Sequence, residues 1–107
     1  MIRLINRLPS SVPSSLLADY AERRVDFALR RFAHLVRRVT LRLTDDNGPR
    51  HGVDVRCVMT VELAHGSPLF VETRSAWPTS AISDAARRAR EMVRRRRGRA
   101  RARGGPP

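Results

Sequence analysis

The chain has 107 residues and a formal net charge of +12, and all 22 of its basic residues are arginine. That length supports one domain with a modest core, and the charge excess points first to nucleic acid and second to an anionic membrane surface. The single cysteine, Cys57, excludes an internal disulfide framework and suits a reducing cytoplasm. No apolar run nears the roughly 20 residues needed to span a bilayer, and Arg3 and Arg7 are not followed by the apolar stretch of a secretory signal.

Ile2 and Leu4 alternate with Arg3, which predicts a short first strand within residues 1–8. A turn-rich connector follows through Ser15, where Ser14 or Ser15 is the expected helix N-cap. From Leu16 to about Arg37, the residues Leu17, Ala21, Val25, Ala28, Phe32 and Leu35 recur at helical spacing and predict an amphipathic helix. On that helix Arg23, Arg24, Arg30, Arg31, Arg37 and Arg38 share one flank, while Asp19, Glu22 and Asp26 gather on the other side of the polar face. Tyr20 and Phe27 sit among the arginines. They either cover the edge of the core or offer an aromatic surface for stacking on RNA.

Val39 to Thr44 alternates and predicts a strand with Val39, Leu41 and Leu43 on its apolar side. Asn47-Gly48 marks a turn in the loop that follows. Val53 to Ala64 predicts a long strand with Val55, Cys57, Met59, Val61 and Leu63 facing one way, Val58 being the exception to the alternation. His65 to Pro68 reads as a hairpin link into a strand over Leu69 to Arg74. The last helix is expected to start at Pro78 with Thr79 as a cap, and to run to Arg97. Its apolar stripe is Ile82, Ala85, Ala86, Ala89 and Val93. Arg87, Arg88, Arg90, Arg94 and Arg95 lie outside it, opposed only by Asp84 and Glu91. Like charges at four-residue spacing repel, so this helix stores repulsion that a polyanion would relieve.

The order strand, helix, strand, strand, strand, helix predicts a two-layer α+β sandwich, βαβββα, with two helices packed on one face of a four-stranded sheet. Residues 1–97 are the expected α+β domain and residues 98–107 a disordered basic tail. No active site is read. His34, His51 and His65 have no metal-ligand spacing to one another or to Cys57, and Cys57 alternates with Val55 and Met59 as a buried, inert thiol. Asp45 and Asp46 read as solvated turn carboxylates, and His34 as either a phosphate contact or an exposed histidine.

The stretches Tyr20-Ala-Glu-Arg-Arg-Val25 with Phe32 and Leu35, Asp46-Asn-Gly-Pro-Arg-His-Gly-Val-Asp54 with Arg56-Cys57, and Ala81-Ile82 opening a basic helix occur in an order that resembles the ribosome hibernation-promoting factors. These are also called the protein Y or sigma-54 modulation family, and the resemblance is to the short form. It implies the βαβββα fold and binding to the small ribosomal subunit where mRNA and tRNA anticodon arms pass. Occupation of that channel would inhibit translation under stress or in stationary phase. The resemblance maps rRNA contacts onto Arg24, Arg30, Arg88 and Arg95, whereas Glu91 and Phe27 stand where the family often has basic residues and Trp77-Pro78-Thr79 departs from its usual acidic-led helix start.

Together the two helix faces nominate Arg23, Arg24, Arg30, Arg31, Arg87, Arg88, Arg94 and Arg95 as RNA-binding residues. The partners expected are the ribosome and its small-subunit rRNA, with the protein a monomer when free and cytoplasmic. No membrane, small-molecule substrate, cofactor or metal is called for. A general module of the double-stranded-RNA-binding type and a small ribosome-dependent ribonuclease are the alternatives.

Overall fold

Alternation of apolar and polar residues builds the sheet, and a computed structural model of the chain describes it through residues 2–8, 13–46 and 54–104. Strands β1 (Ile2–Asn6), β2 (Val36–Asp45), β3 (Val55–Leu63) and β4 (Leu69–Ser75) form one sheet in the order β1-β2-β3-β4. β1 runs parallel to β2 and the other neighbours are antiparallel. The register sets Leu4 beside Leu41, Leu41 beside Met59 and Met59 beside Val71, so one sheet face carries a continuous apolar band. Val39, Leu41, Leu43, Val55, Cys57, Met59, Val61, Leu69 and Val71 are all buried on that face.

Helix α1 (Ser14–Leu29) and helix α2 (Pro78–Gly104) supply Leu17, Ala21, Val25, Leu29, Ala81, Ile82, Ala85, Ala86, Ala89 and Val93 to the same core cluster. Both helices therefore cover the one apolar face and leave the other sheet face open, as the α+β sandwich requires. Thr73, the polar residue on the buried side of β4, is satisfied by donating from Oγ1 to the Ala81 carbonyl at 2.8 Å. That bond fixes the first turn of α2 to the sheet.

The elements differ from the sequence expectations at their ends. The first helix stops at Leu29 and tightens into a 3-10 helical turn over Arg30–Leu35, after which β2 begins at Val36. Phe32 and Leu35 are three residues apart, a spacing that fits three residues per turn as well as it fits an α-helix. Arg37 and Arg38 accordingly belong to β2, where the register is irregular between Val36 and Arg38. Pro13 holds the N-cap position of α1 with no side-chain cap. Ser14 is already helical, and its hydroxyl accepts from Asn6 Nδ2 at 3.1 Å. Pro78 opens α2 as expected, which leaves Thr79 inside the first turn rather than at the cap.

The helix continues through Gly98 to Gly104 instead of ending at Arg97. One glycine costs only about 1 kcal/mol in a helix, and the arginine and alanine around it are strong helix formers. The Asn47-Gly48 turn and His51 lie outside the described residues.

Two outcomes follow from this packing. Ala85 has no exposed surface, so Ala85→Leu should cost about 1–3 kcal/mol by overpacking, read as a lower urea midpoint. Burial pushes the Cys57 thiol up to about 11, the Thr73 hydroxyl only partly offsetting it. Since the thiolate is the reactive form, a disulfide reagent at pH 8 should label Cys57 at the rate of unfolding, and promptly in denaturant.

Candidate nucleic-acid interface

The strand order dictates how the helices lie. β1 is parallel to β2, and two antiparallel steps make β4 parallel to β2 as well. Each helix follows one of these like-directed strands and returns over the same face, so α1 and α2 run side by side in the same direction. Contacts along the seam keep that order. The Tyr20 hydroxyl meets Ser83 Oγ at 2.6 Å near the start, and the Arg97 guanidinium sits 5.7 Å above the Phe32 ring centre near the end. Between these points is an interhelical groove of about 240 Å³ whose walls include Arg24, Phe27, Ser83, Asp84, Arg87 and Arg90.

The two aromatic residues of α1 have different roles. Tyr20 is half-buried against the core with its hydroxyl satisfied, so it covers the core edge. Phe27 is 61% exposed at the groove rim. Its ring lies between two guanidinium groups, Arg24 at 6.0 Å and Arg30 at 5.7 Å. Such cation–ring contacts contribute about 0.5–1 kcal/mol at exposed sites. They hold both arginines in place without neutralising them.

The eight nominated arginines do not form a single patch. Arg24 and Arg87 line the groove, Arg30 flanks Phe27, and Arg23 and Arg31 are exposed on α1 and the 3-10 turn. On α2 the steps of three and four place Arg87, Arg90, Arg94 and Arg97 in one row, on the side that meets α1. Arg88 and Arg95, two turns apart, form a second row on the opposite flank, towards β4. Arg88 Nη1 donates to the Glu72 carbonyl of β4 at 3.1 Å. Of the four contacts implied by the family resemblance, Arg24 thus lines the groove, Arg30 reaches only its Phe27 rim from the hollow it shares with Asp26, and Arg88 and Arg95 lie away from it. Arg90 and Arg97 join the groove row without having been nominated. The signal for them was the row itself, spaced 87, 90, 94, 97.

Acidic residues are placed to tune this surface. Asp26 lies on the far side of α1, lining a hollow with Ile2 of β1. Asp84 pairs with Arg87 at 3.3 Å. Glu91 accepts from Arg94 Nη2 at 2.5 Å and from Arg94 Nε at 3.2 Å, and Arg95 Nε lies 3.5 Å away. The hydrogen bonds from Arg94, followed by the charges of Arg94, Arg95 and Arg90, hold the Glu91 carboxyl below the usual carboxylate range. It is therefore ionised at neutral pH and occupies two guanidinium groups. Arg24, Arg30 and Arg90 have no carboxylate within ion-pair distance among the described residues. On the open sheet face, by contrast, Arg56 pairs with Glu72 at 2.9 Å and Arg74 with Asp46 at 3.1 Å.

Among the described residues, no three His, Cys, Asp or Glu side chains gather as a metal site, and no helix is long and apolar enough to cross a membrane.

No protein-family model and no curated protein matches the chain. Solved structures do. The N-terminal domain of protein Y from Thermus thermophilus superposes with a TM-score of 0.68 at 22% identity, covering 87% of this chain and 93% of that one. A ribosomal subunit interface protein from Coxiella burnetii superposes with a TM-score of 0.71 at 10% identity, covering 91% and 97%. The fold is the one that the resemblance to the hibernation-promoting factor family implies.

Glu91 gives the site its sharpest test. Glu91→Gln removes the competing carboxylate and frees Arg94 and Arg95. Affinity for a single-stranded RNA homopolymer should rise several-fold, and the salt dependence should steepen by about 0.7, from the one groove-row contact, Arg94, that is gained. Fluorescence anisotropy across a salt series measures both.

Proposed function

We propose that the chain is a ribosome-associated factor that binds small-subunit rRNA through the groove face of its helix pair. Lodged where mRNA and tRNA pass, it inhibits translation under stress or in stationary phase. The observation that carries this reading is the alignment of two parallel helices on one sheet face, with guanidinium groups from both converging on a shared groove, Arg24 and Arg90 without an ion-pair partner among the described residues and Arg87 paired only with Asp84. The likeness in fold to a protein Y domain and to a ribosomal subunit interface protein supports it.

The mechanism is steric and electrostatic, and no covalent bond is made or broken. Arg24, Arg30, Arg87 and Arg90 offer planar forks to phosphate oxygens, each able to make paired charge-assisted hydrogen bonds. Phe27, held between two cations, is placed to stack on an unpaired base. Phosphate contacts carry little sequence information, so selectivity for the ribosome would come from the shape of the cavity that receives the domain. The rigid sheet matters here because it fixes the separation of the two helices, and so the spacing of the phosphates that they can meet.

Arg24→Ala/Arg87→Ala/Arg90→Ala should weaken small-subunit cosedimentation by at least about tenfold and flatten the salt dependence by roughly 2–3, one unit or slightly less per lost contact. The triple variant Arg38→Ala/Arg42→Ala/Arg74→Ala changes the net charge equally but on the open sheet face, and should retain most of the binding. Equal loss in both variants would reduce the interaction to net charge. Displacement by duplex RNA as effective as that by free subunits would instead identify a general duplex-RNA module. Intact mRNA after incubation with inhibited ribosomes separates occlusion from cleavage.

A further inference from the structure

A second basic site lies beyond the groove, at the end of the molecule where the 3-10 turn, the β3–β4 link and α2 meet. It is a pocket of about 400 Å³, inside the roughly 300–1,000 Å³ range of small-ligand sites. Its floor is apolar, made by Leu35, Leu63 and Val93. Its rim carries His34, His65, Arg96 and Arg97, with no acidic residue among its lining side chains.

Both arginines are held in place by uncharged partners. Arg96 Nη1 donates to the Ser67 carbonyl at 3.0 Å. The link can come that close because Gly66 adopts a φ of 87°, and a Cβ there would stand 3.3 Å from the same nitrogen. Arg97 rests over the Phe32 ring. Neither has a carboxylate within ion-pair distance among the described residues. The backbone at the mouth is also satisfied, since the Leu35 carbonyl accepts from Ala64 N at 2.8 Å.

We propose that this pocket binds a nucleoside 5′-monophosphate unit, with the phosphate at the arginine–histidine rim and the base against the apolar floor. Inorganic phosphate would use only the rim and leave the floor wet. A neutral nucleoside would leave two fixed guanidinium groups unanswered. The chemistry has two sources, a free mononucleotide or one nucleotide turned out of an RNA strand. The inference does not depend on the ribosome reading, because of the groove row only Arg97 reaches this pocket, and no residue lining the groove itself lines it.

The imidazole resonances of His34 and His65 report on the rim. Adenosine 5′-monophosphate should shift both saturably; adenosine, which lacks the charge-assisted contact, and inorganic phosphate, which leaves the apolar floor uncovered, should each bind at least about tenfold more weakly. If only a single-stranded RNA octamer produces the shifts, the strand is the source; if the mononucleotide does, the free nucleotide is. In either case His34→Ala/Arg97→Gln should abolish the saturable His65 shift while the circular dichroism spectrum stays that of the folded protein. The proposal is overturned if neither ligand moves the rim histidines, if phosphate alone binds as tightly as the mononucleotide, or if the folded variant responds unchanged.

Discussion

The close packing of α2 on the sheet and on α1 is the constraint from which the surface follows. The buried stripe of α2 is four alanines, Ala81, Ala85, Ala86 and Ala89, with one isoleucine and one valine. Alanine presents little beyond its Cβ, so a helix faced with it can approach its neighbours more closely than one faced with leucine. Close approach narrows the seam until Tyr20 can reach Ser83 and Arg97 can reach Phe32. It also brings arginines from two separate helices to the walls of one groove. The apolar packing thus sets the geometry of the charge, and the charge is tolerated because that packing is strong.

The interior of this arrangement was legible from the chain alone, and its edges were not. Every residue of the stripe Ile82, Ala85, Ala86, Ala89 and Val93 is buried, and so are the alternating residues of β2, β3 and β4 except Leu63, which is half-buried at the end of β3, because a helical or twofold period repeated over several turns has one consistent solution. The end of α1 escaped because a single turn of apolar residues spaced by three fits two kinds of helix. The division of the arginines into two rows escaped for a different reason. A wheel shows which residues leave the core stripe, but not which neighbour waits on each flank. Only the placement of α1 beside Ser83, Arg87 and Arg90, and of β4 beside Arg88, decides that. The pocket at the far end was unreadable because its rim comes from His34, His65, Arg96 and Arg97, which converge only through the parallel course of the helices.

The same parallel course orders the surface from end to end. Both helices begin beside the polar pairs Tyr20–Ser83 and Thr73–Ala81. Along the seam the side chains become progressively more basic, through Arg24, Arg87 and Arg90 to Arg97 and Arg96. Cations suit the carboxyl ends of helices, where the peptide dipoles leave partial negative charge, so the gradient runs with the backbone's own polarity. α2 outlasts α1, which sets Arg96 and Arg97 beside the 3-10 turn that follows the shorter helix.

A surface of this kind must also exist in the free protein, where nothing neutralises it. Two unit charges about 4 Å apart in water interact by roughly 1 kcal/mol, and salt reduces this at larger separations. Several such repulsions would be a sizeable fraction of the stability of a small domain. The structure contains three devices that moderate them. Asp84 and Glu91 neutralise within their own helix. Phe27 and Phe32 hold guanidinium groups over their rings without cancelling them. The carbonyl of Glu72 anchors Arg88 to β4, and that of Ser67 anchors Arg96 to the β3–β4 link. Only the first of these must be undone for a phosphate to bind; the other two fix the arginines while leaving them charged. On this reasoning Phe27 orders two positive charges without neutralising either, and Glu91 sets the balance between a stable free domain and a receptive one.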